Sequence, residues 1–91
     1  ALEASCRYLA AELGPRGIRV HAISPGPIST RAASGLKDFD RLLSDAARRT
    51  PLGELADIMD VGRLCAFLAG PQARHLTGDT LYVDAGGHVL A

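Results

Sequence analysis

Apolar residues recur along this chain at two periods, and the change from one to the other lays out the fold. Leu2, Cys6, Leu9 and Leu13 fall at helical spacing, with Ala1, Ala4, Ala10 and Ala11 around them, and predict one apolar helix face. No capping residue precedes Leu2, so Ala1 is expected to be an arbitrary cut within a helix. Gly14-Pro15 is expected to stop that helix, the glycine in a left-handed cap and the proline unable to continue the hydrogen bonding. Ile18 to Ile23 alternates apolar and polar positions and predicts a strand, broken by Ser24-Pro25-Gly26-Pro27. Residues 24–36 are rich in Ser, Gly, Pro and Ala and read as a loop. Phe39, Leu42, Leu43, Ala46 and Ala47 return to helical spacing, and Thr50-Pro51 ends that short helix. Asp57 is placed to cap a further helix, with Asp60 in its first turn. Ile58, Val61, Leu64, Cys65 and Leu68 are its expected buried face, and Gly70-Pro71 its stop. Thr80 to Val83 predicts a second strand, turned away by Asp84-Ala85-Gly86-Gly87.

A strand, a crossover containing helix, and another strand make the two strands parallel neighbours with a right-handed connection. Parallel sheets are covered by helices on both faces, and two strands are too few to be a domain. The fold class is therefore α/β, a portion of a doubly wound parallel sheet with flanking helices. No repeat or low-complexity segment interrupts it.

Composition narrows the function classes. The chain has 91 residues, 47% hydrophobic and 22% charged, with ten basic residues balancing ten acidic ones. That balance lacks the basic footprint of a nucleic-acid binder. No apolar run is long enough to span a bilayer, and no basic lead with an apolar stretch directs export. Cys6 and Cys65 have no Cys-x-x-Cys partner or paired histidines, which disfavours a metal site. They are expected to be buried reduced thiols of a cytoplasmic protein, with a disulfide left open.

The segment that carries chemistry follows the first strand, where ligands bind in open parallel sheets. In Ser24-Pro25-Gly26-Pro27-Ile28-Ser29-Thr30, Gly26 would let backbone approach a ligand and the prolines would stiffen the path. Ile28 would offer backbone N–H and C=O groups, and Thr30 a hydroxyl for a phosphate oxygen. A plain strand-exit turn is the alternative that these residues leave open.

Pro-Gly-Pro-Ile-x-Thr after Ile-Arg-Val-x-Ala-Ile-Ser resembles the loop that contacts the nicotinamide half of NAD(H) in short-chain dehydrogenase/reductases. Leu76-Thr77-Gly78 and Leu81-Tyr82-Val83-Asp84-Ala85-Gly86-Gly87 resemble that family's closing strand, and Ala1 to Arg7 with Glu12 to Gly17 its helix after the active-site lysine and the turn that follows. Ala32-Ala33-Ser34-Gly35-Leu36-Lys37-Asp38-Phe39 is similar to the substrate-binding segment of the NADH-dependent enoyl-acyl-carrier-protein reductases. The resemblance implies the C-terminal portion of a single Rossmann-fold reductase domain over residues 1–91, with residues 31–49 as a mobile substrate-binding segment. It implies cofactor contacts from Gly26, Pro27, Ile28, Ser29, Thr30, Arg31 and Ala32, with NAD as cofactor. Ala32, Ala33, Leu36 and Phe39 would line an acyl pocket. Lys37 would face either the acidic carrier protein or solvent.

Three positions depart from the reductase pattern: His21 stands where Asn is common, Pro25 where Ala is frequent, and Arg31 where an apolar residue is usual. His75 and His88 are expected to face solvent. The family's Tyr-x-x-x-x-x-x-Lys pair would lie just upstream of Ala1, and the glycine-rich dinucleotide fingerprint is missing from these 91 residues. Tyr8 and Tyr82 have no lysine at the required spacing, so no catalytic residue is assigned to this chain.

The expected parent is a cytoplasmic homotetramer that transfers hydride from NADH to a trans-2-enoyl acyl-carrier-protein thioester in fatty-acid synthesis. The first helix would pair at a subunit interface. A 3-oxoacyl or alcohol dehydrogenase, and a non-catalytic oligomerisation or binding remnant of the fold, are the alternatives.

Overall fold

The computed structural model describes residues 1–28 and 38–90. Helix α1 (Leu2–Leu13) forms as the spacing predicts, but its docking face is narrower than expected. Cys6 and Ala10 are buried and Leu13 half-buried, whereas Leu2 and Leu9 remain exposed. The reason lies in what the helix packs on. A Cβ on Gly78, which has φ +82°, would lie 3.3 Å from the Ala10 methyl carbon. The Cys6 thiol shares its one hydrogen between the carbonyls of Val20, at 3.5 Å, and Asp79, at 3.7 Å. Helix α1 therefore seats on the turn that enters the second strand.

Gly14 does not take the left-handed cap expected of it. It keeps right-handed helical angles and opens a 3-10 turn, Gly14–Arg16, with Pro15 in its first turn. Proline's fixed φ suits that position. Gly17, at φ +77°, makes the left-handed reversal instead.

Strand β1 is Ala22–Pro25 and pairs in parallel with β2, Thr80–Val83, in the register Ala22 with Thr80 through Pro25 with Val83. The second strand matches its predicted limits, while the first is shifted from the predicted 18–23. Residues 18–20 spend their backbone groups elsewhere: Ile18 N–H bonds Leu13 O, Val20 N–H bonds Thr77 Oγ1, and Val20 O accepts from Gly78 N. Pro25 can close the strand because a terminal strand position does not need its missing N–H.

Helix α2 (Phe39–Arg48) has its predicted start and none of its residues is buried. Asp38 precedes it at φ +66° without a side-chain cap. The Thr50 hydroxyl, within bonding distance of Ala47 O and Glu54 O, also accepts from Gly53 N and closes the turn. Helix α3 (Ile58–Ala69) starts as predicted. Asp57 Oδ1 accepts from Met59 N at 2.5 Å and Asp60 Oδ2 from Asp57 N at 2.9 Å, a reciprocal cap. Leu68 is buried and Val61 and Leu64 half-buried, but Ile58 and Cys65 are exposed. Cys65 is thus not the buried thiol expected; both cysteines are free.

The core consists of Cys6, Ala10, Ala22, Ala56, Leu68 and Ala73, mostly small side chains. The radius of gyration is 15.7 Å, against about 12 Å for a compact domain of this length. So small a core buries little of the apolar surface that stabilises a fold. No helix among the described residues is long and apolar enough to cross a membrane.

Candidate functional site

The two parallel strands end side by side, at Pro25 and Val83, and both exits leave from the same edge. Gly26 N donates to Val83 O at 3.1 Å. A Cβ on Gly26 would lie 2.7 Å from Asp84 Cβ and 3.1 Å from Asp84 Cα, a clash with atoms fixed by the main chain. Glycine here is demanded first by the neighbouring strand, a use that the sequence pattern alone did not reveal. Pro25 and Pro27 are exposed, and Ile28 is half-buried in an isolated parallel bridge with Ala56. Residues 24–28 carry no charged side chain, so this edge presents backbone and neutral surface.

Of the other predicted contacts, Ser29, Thr30, Arg31, Ala32, Ala33 and Leu36 lie outside the described residues. Phe39 opens α2 and is half-buried. Gly26 and Ile28 are therefore placed together at the strand exit, and Phe39 on the helix that follows.

The exit of β2 is organised by Asp84. Its Oδ1 accepts from Gly86 N at 3.0 Å and its Oδ2 from His88 N at 2.8 Å. The His88 ring Nδ1 lies 3.0 Å from Oδ2, and the ring stacks on Tyr82 with centroids 4.0 Å apart and planes 12° apart. His88 was expected simply to face solvent; its side chain is 40% exposed yet held by both partners. Desolvation pushes the Asp84 pKa up. The hydrogen bonds from the His88 ring and from the His88 and Gly86 N–H groups, with the His88 charge, outweigh it and leave the carboxyl below its ordinary value. Beside this turn lies a cleft of about 410 Å³ whose walls include Leu55, Ala56, Tyr82, Asp84, Ala85 and His88.

Arg19, expected at a polar strand position, lies just before β1 and joins that segment to the end of α3. Its Nη1 donates to Leu68 O at 2.6 Å and Ala73 O at 3.0 Å, and lies 3.4 Å from His21 Nε2. A cation on the last carbonyls of a helix also opposes the helix dipole favourably. The signal available in sequence was an arginine between two apolar positions, two residues before His21. His21 thus makes a polar contact with Arg19. Tyr8 is 76% exposed on α1, and the Tyr82 ring is stacked on that of His88. Among the described residues no three His, Cys, Asp or Glu side chains are gathered to hold a metal.

Known proteins share this arrangement. The family described as Enoyl-(Acyl carrier protein) reductase matches residues 1–88. The NADH enoyl-acyl-carrier-protein reductase of Bacillus subtilis is 45% identical over 91 residues, all of this chain and 35% of that protein. The NADPH enoyl-acyl-carrier-protein reductase of Staphylococcus aureus is 41% identical over 90 residues, 99% of this chain and 35% of its own length. The crystal structure of the Bacillus cereus enoyl-acyl carrier protein reductase with NADP+ and indole naphthyridinone superposes with a TM-score of 0.82. It is 46% identical and covers 99% of this chain and 35% of that one. The chain thus spans about a third of the length of the relatives it matches. Parallel strand pairing, the Gly26 strand exit and the family match agree, and the chain belongs to the enoyl-(acyl carrier protein) reductase family.

Proposed function

We propose that this chain forms the C-terminal portion of a Rossmann-fold reductase that transfers hydride from NADH to a trans-2-enoyl acyl-carrier-protein thioester in fatty-acid synthesis. The observation that carries the reading is the exit of β1. Its residues 26–28 stand at the carboxyl edge of a parallel pair, where such sheets bind ligands, held by Val83 O and by the bridge to Ala56.

A reduced nicotinamide fits this edge: its dihydropyridine ring and carboxamide are uncharged, and residues 24–28 offer uncharged surface with backbone groups. When bound, the reduced nicotinamide supplies the hydride. Gly26, Pro27 and Ile28 would hold its carboxamide side, with Ser29, Thr30, Arg31 and Ala32 continuing along the dinucleotide. Ala32, Ala33, Leu36 and Phe39 would line the acyl pocket and exclude water from the reacting carbons. The proton donor and its lysine would come from residues upstream of Ala1, as the resemblance implies. NADH is preferred as the cofactor because the Bacillus subtilis relative carries that name, although the Staphylococcus aureus one is named for NADPH. The intact enzyme is expected to be cytoplasmic and homotetrameric.

Purified native protein carrying this sequence tests the reading. Loss of reduced-nicotinamide absorbance is followed with a trans-2-enoyl thioester and, separately, with a 3-oxoacyl thioester. Oxidation driven by the enoyl substrate supports it. Oxidation driven only by the 3-oxoacyl substrate, or by neither, contradicts it.

A further inference from the structure

The chain leaves the parallel sheet at Gly26 and returns along Thr50-Pro51-Leu52, and both ends of that excursion rest on one turn. At the departure, Gly26 N bonds Val83 O, and the glycine backbone lies against Asp84 so closely that no Cβ fits. At the return, Leu52 N donates to Ala85 O at 3.2 Å. A Cβ on Gly86 would lie 2.9 Å from Pro51 Cγ, so the Pro51 ring sits directly on the glycine backbone. Thr50 Cγ2 lies 3.8 Å from the position a Cβ on Gly87 would take.

The shape of this turn is not intrinsic to its backbone. Ala85 at φ +55° and Gly86 at φ +88° occupy the left-handed region, which costs a non-glycine residue energy. What offsets that cost is the Asp84 carboxylate, with its acceptor bonds from Gly86 N, His88 N and the His88 ring, itself stacked on Tyr82. Carboxylate bonds to backbone N–H groups are among the stronger hydrogen bonds of proteins. Asp84 is 11% exposed, which keeps solvent from competing for it.

We propose that Asp84 is a positioning residue: through the Asp84–His88 turn it clamps both ends of the Gly26–Leu52 excursion, and so sets Ile28 and the helix bearing Phe39 relative to each other. For catalysis this rests on the reductase reading above. For structure it rests on the contacts alone. In this role Asp84 acts by fixing where the two walls start and finish.

The test uses the native protein with Asp84→Ala, Asp84→Asn and His88→Ala. Backbone hydrogen exchange is followed in peptides covering residues 22–28 and 49–56, with peptides from α1 and α3 as internal references. Asp84→Ala is expected to speed exchange in both end peptides by about tenfold, the scale of losing one charge-assisted hydrogen bond, while α1 and α3 stay unchanged. Asp84→Asn keeps one acceptor oxygen and should recover part of the protection; His88→Ala keeps the two backbone bonds and should have a smaller effect. In turnover, Asp84→Ala should raise the KM for the enoyl thioester about tenfold with a lesser fall in kcat, since misplacement of a positioning wall is felt in substrate geometry. Faster exchange at only one end, equal acceleration in all peptides, or no change overturns the clamp. Exchange needs no turnover: a wild-type protein inactive on enoyl thioesters removes the functional reading, while the clamp still stands or falls by exchange.

Discussion

Helices α2 and α3 are of similar length and stand on either side of Thr50–Asp57, yet they are held in opposite ways. Helix α3 starts on a reciprocal Asp57–Asp60 cap, buries Leu68, and ends with two carbonyl-bearing segments gripped by Arg19. Helix α2 starts at an Asp38 with no side-chain cap and has no fully buried residue; Leu42, on its apolar face, is 62% exposed. The difference teaches where rigidity is placed. Strands, α1 and α3 form a frame joined by specific hydrogen bonds, and among the described residues the segment carrying α2 is tied to that frame near Gly26–Ile28 and Thr50–Leu52. A segment with few buried contacts sits at the low end of local stability, where substrate-handling elements are drawn from.

Substitutions in the frame and in the excursion should therefore differ sharply. Arg19→Met, which keeps the apolar stem, should cost about 3 kcal/mol by leaving Leu68 O and Ala73 O without their charged donor, read as a lowered thermal midpoint. A change within error would mean that α3 is held otherwise. Gly26→Ala should cost about 2 kcal/mol, because the new methyl meets Asp84 Cβ and Cα and the main chain must move. Activity should fall with it. Asp57→Ala should cost about 1 kcal/mol by removing the cap of α3, measured by denaturant unfolding.

A smaller effect is confined to acid. The folded-state pKa of Asp84 is lowered, so its contribution to stability is complete above the unfolded value of about 3.8 and is lost as pH falls through the lower folded value. Wild-type protein should lose stability over that window, and Asp84→Asn should flatten this part of the acid curve; parallel curves would remove Asp84 from the linkage. Glu54 and Asp60 line the same cleft, so the comparison with Asp84→Asn isolates one carboxylate. Least of all, Leu42→Gln on the exposed side of α2 should change stability by less than about 0.5 kcal/mol. A loss above 2 kcal/mol would show that α2 is packed after all and would dissolve the contrast between the two helices.

Much of the frame was legible because its signals are local. Asp57 before an apolar helical run, proline-glycine stops at Gly14-Pro15 and Gly70-Pro71, and Thr80–Val83 between turns each depend on a few neighbouring residues. The parallel pairing followed from the element order. What escaped depends on contacts distant in sequence. The strand began at Ala22 and not Ile18 because Thr77 and Gly78, 57 and 58 positions away from Val20, take its backbone groups. Cys65 and Ile58 fit the apolar period of α3 yet stay exposed, since periodicity tells which face is apolar and not how much of it is covered. At the candidate site, the close approach that Gly26 permits in the structure is to Asp84, a contact 58 positions away that no local pattern announces. The role of Asp84 and His88 could have been suspected from an aspartate four residues before a histidine across Ala-Gly-Gly, an Asx-type turn signal.

The central claim is that the exit of β1 is a wall of a nicotinamide site. A crystal structure of the native protein with NAD+ tests it most directly. The carboxamide should lie within hydrogen-bonding distance of the Ile28 backbone, with Gly26 still against Asp84. A dinucleotide bound elsewhere, with residues 26–28 untouched by it, would contradict the assignment.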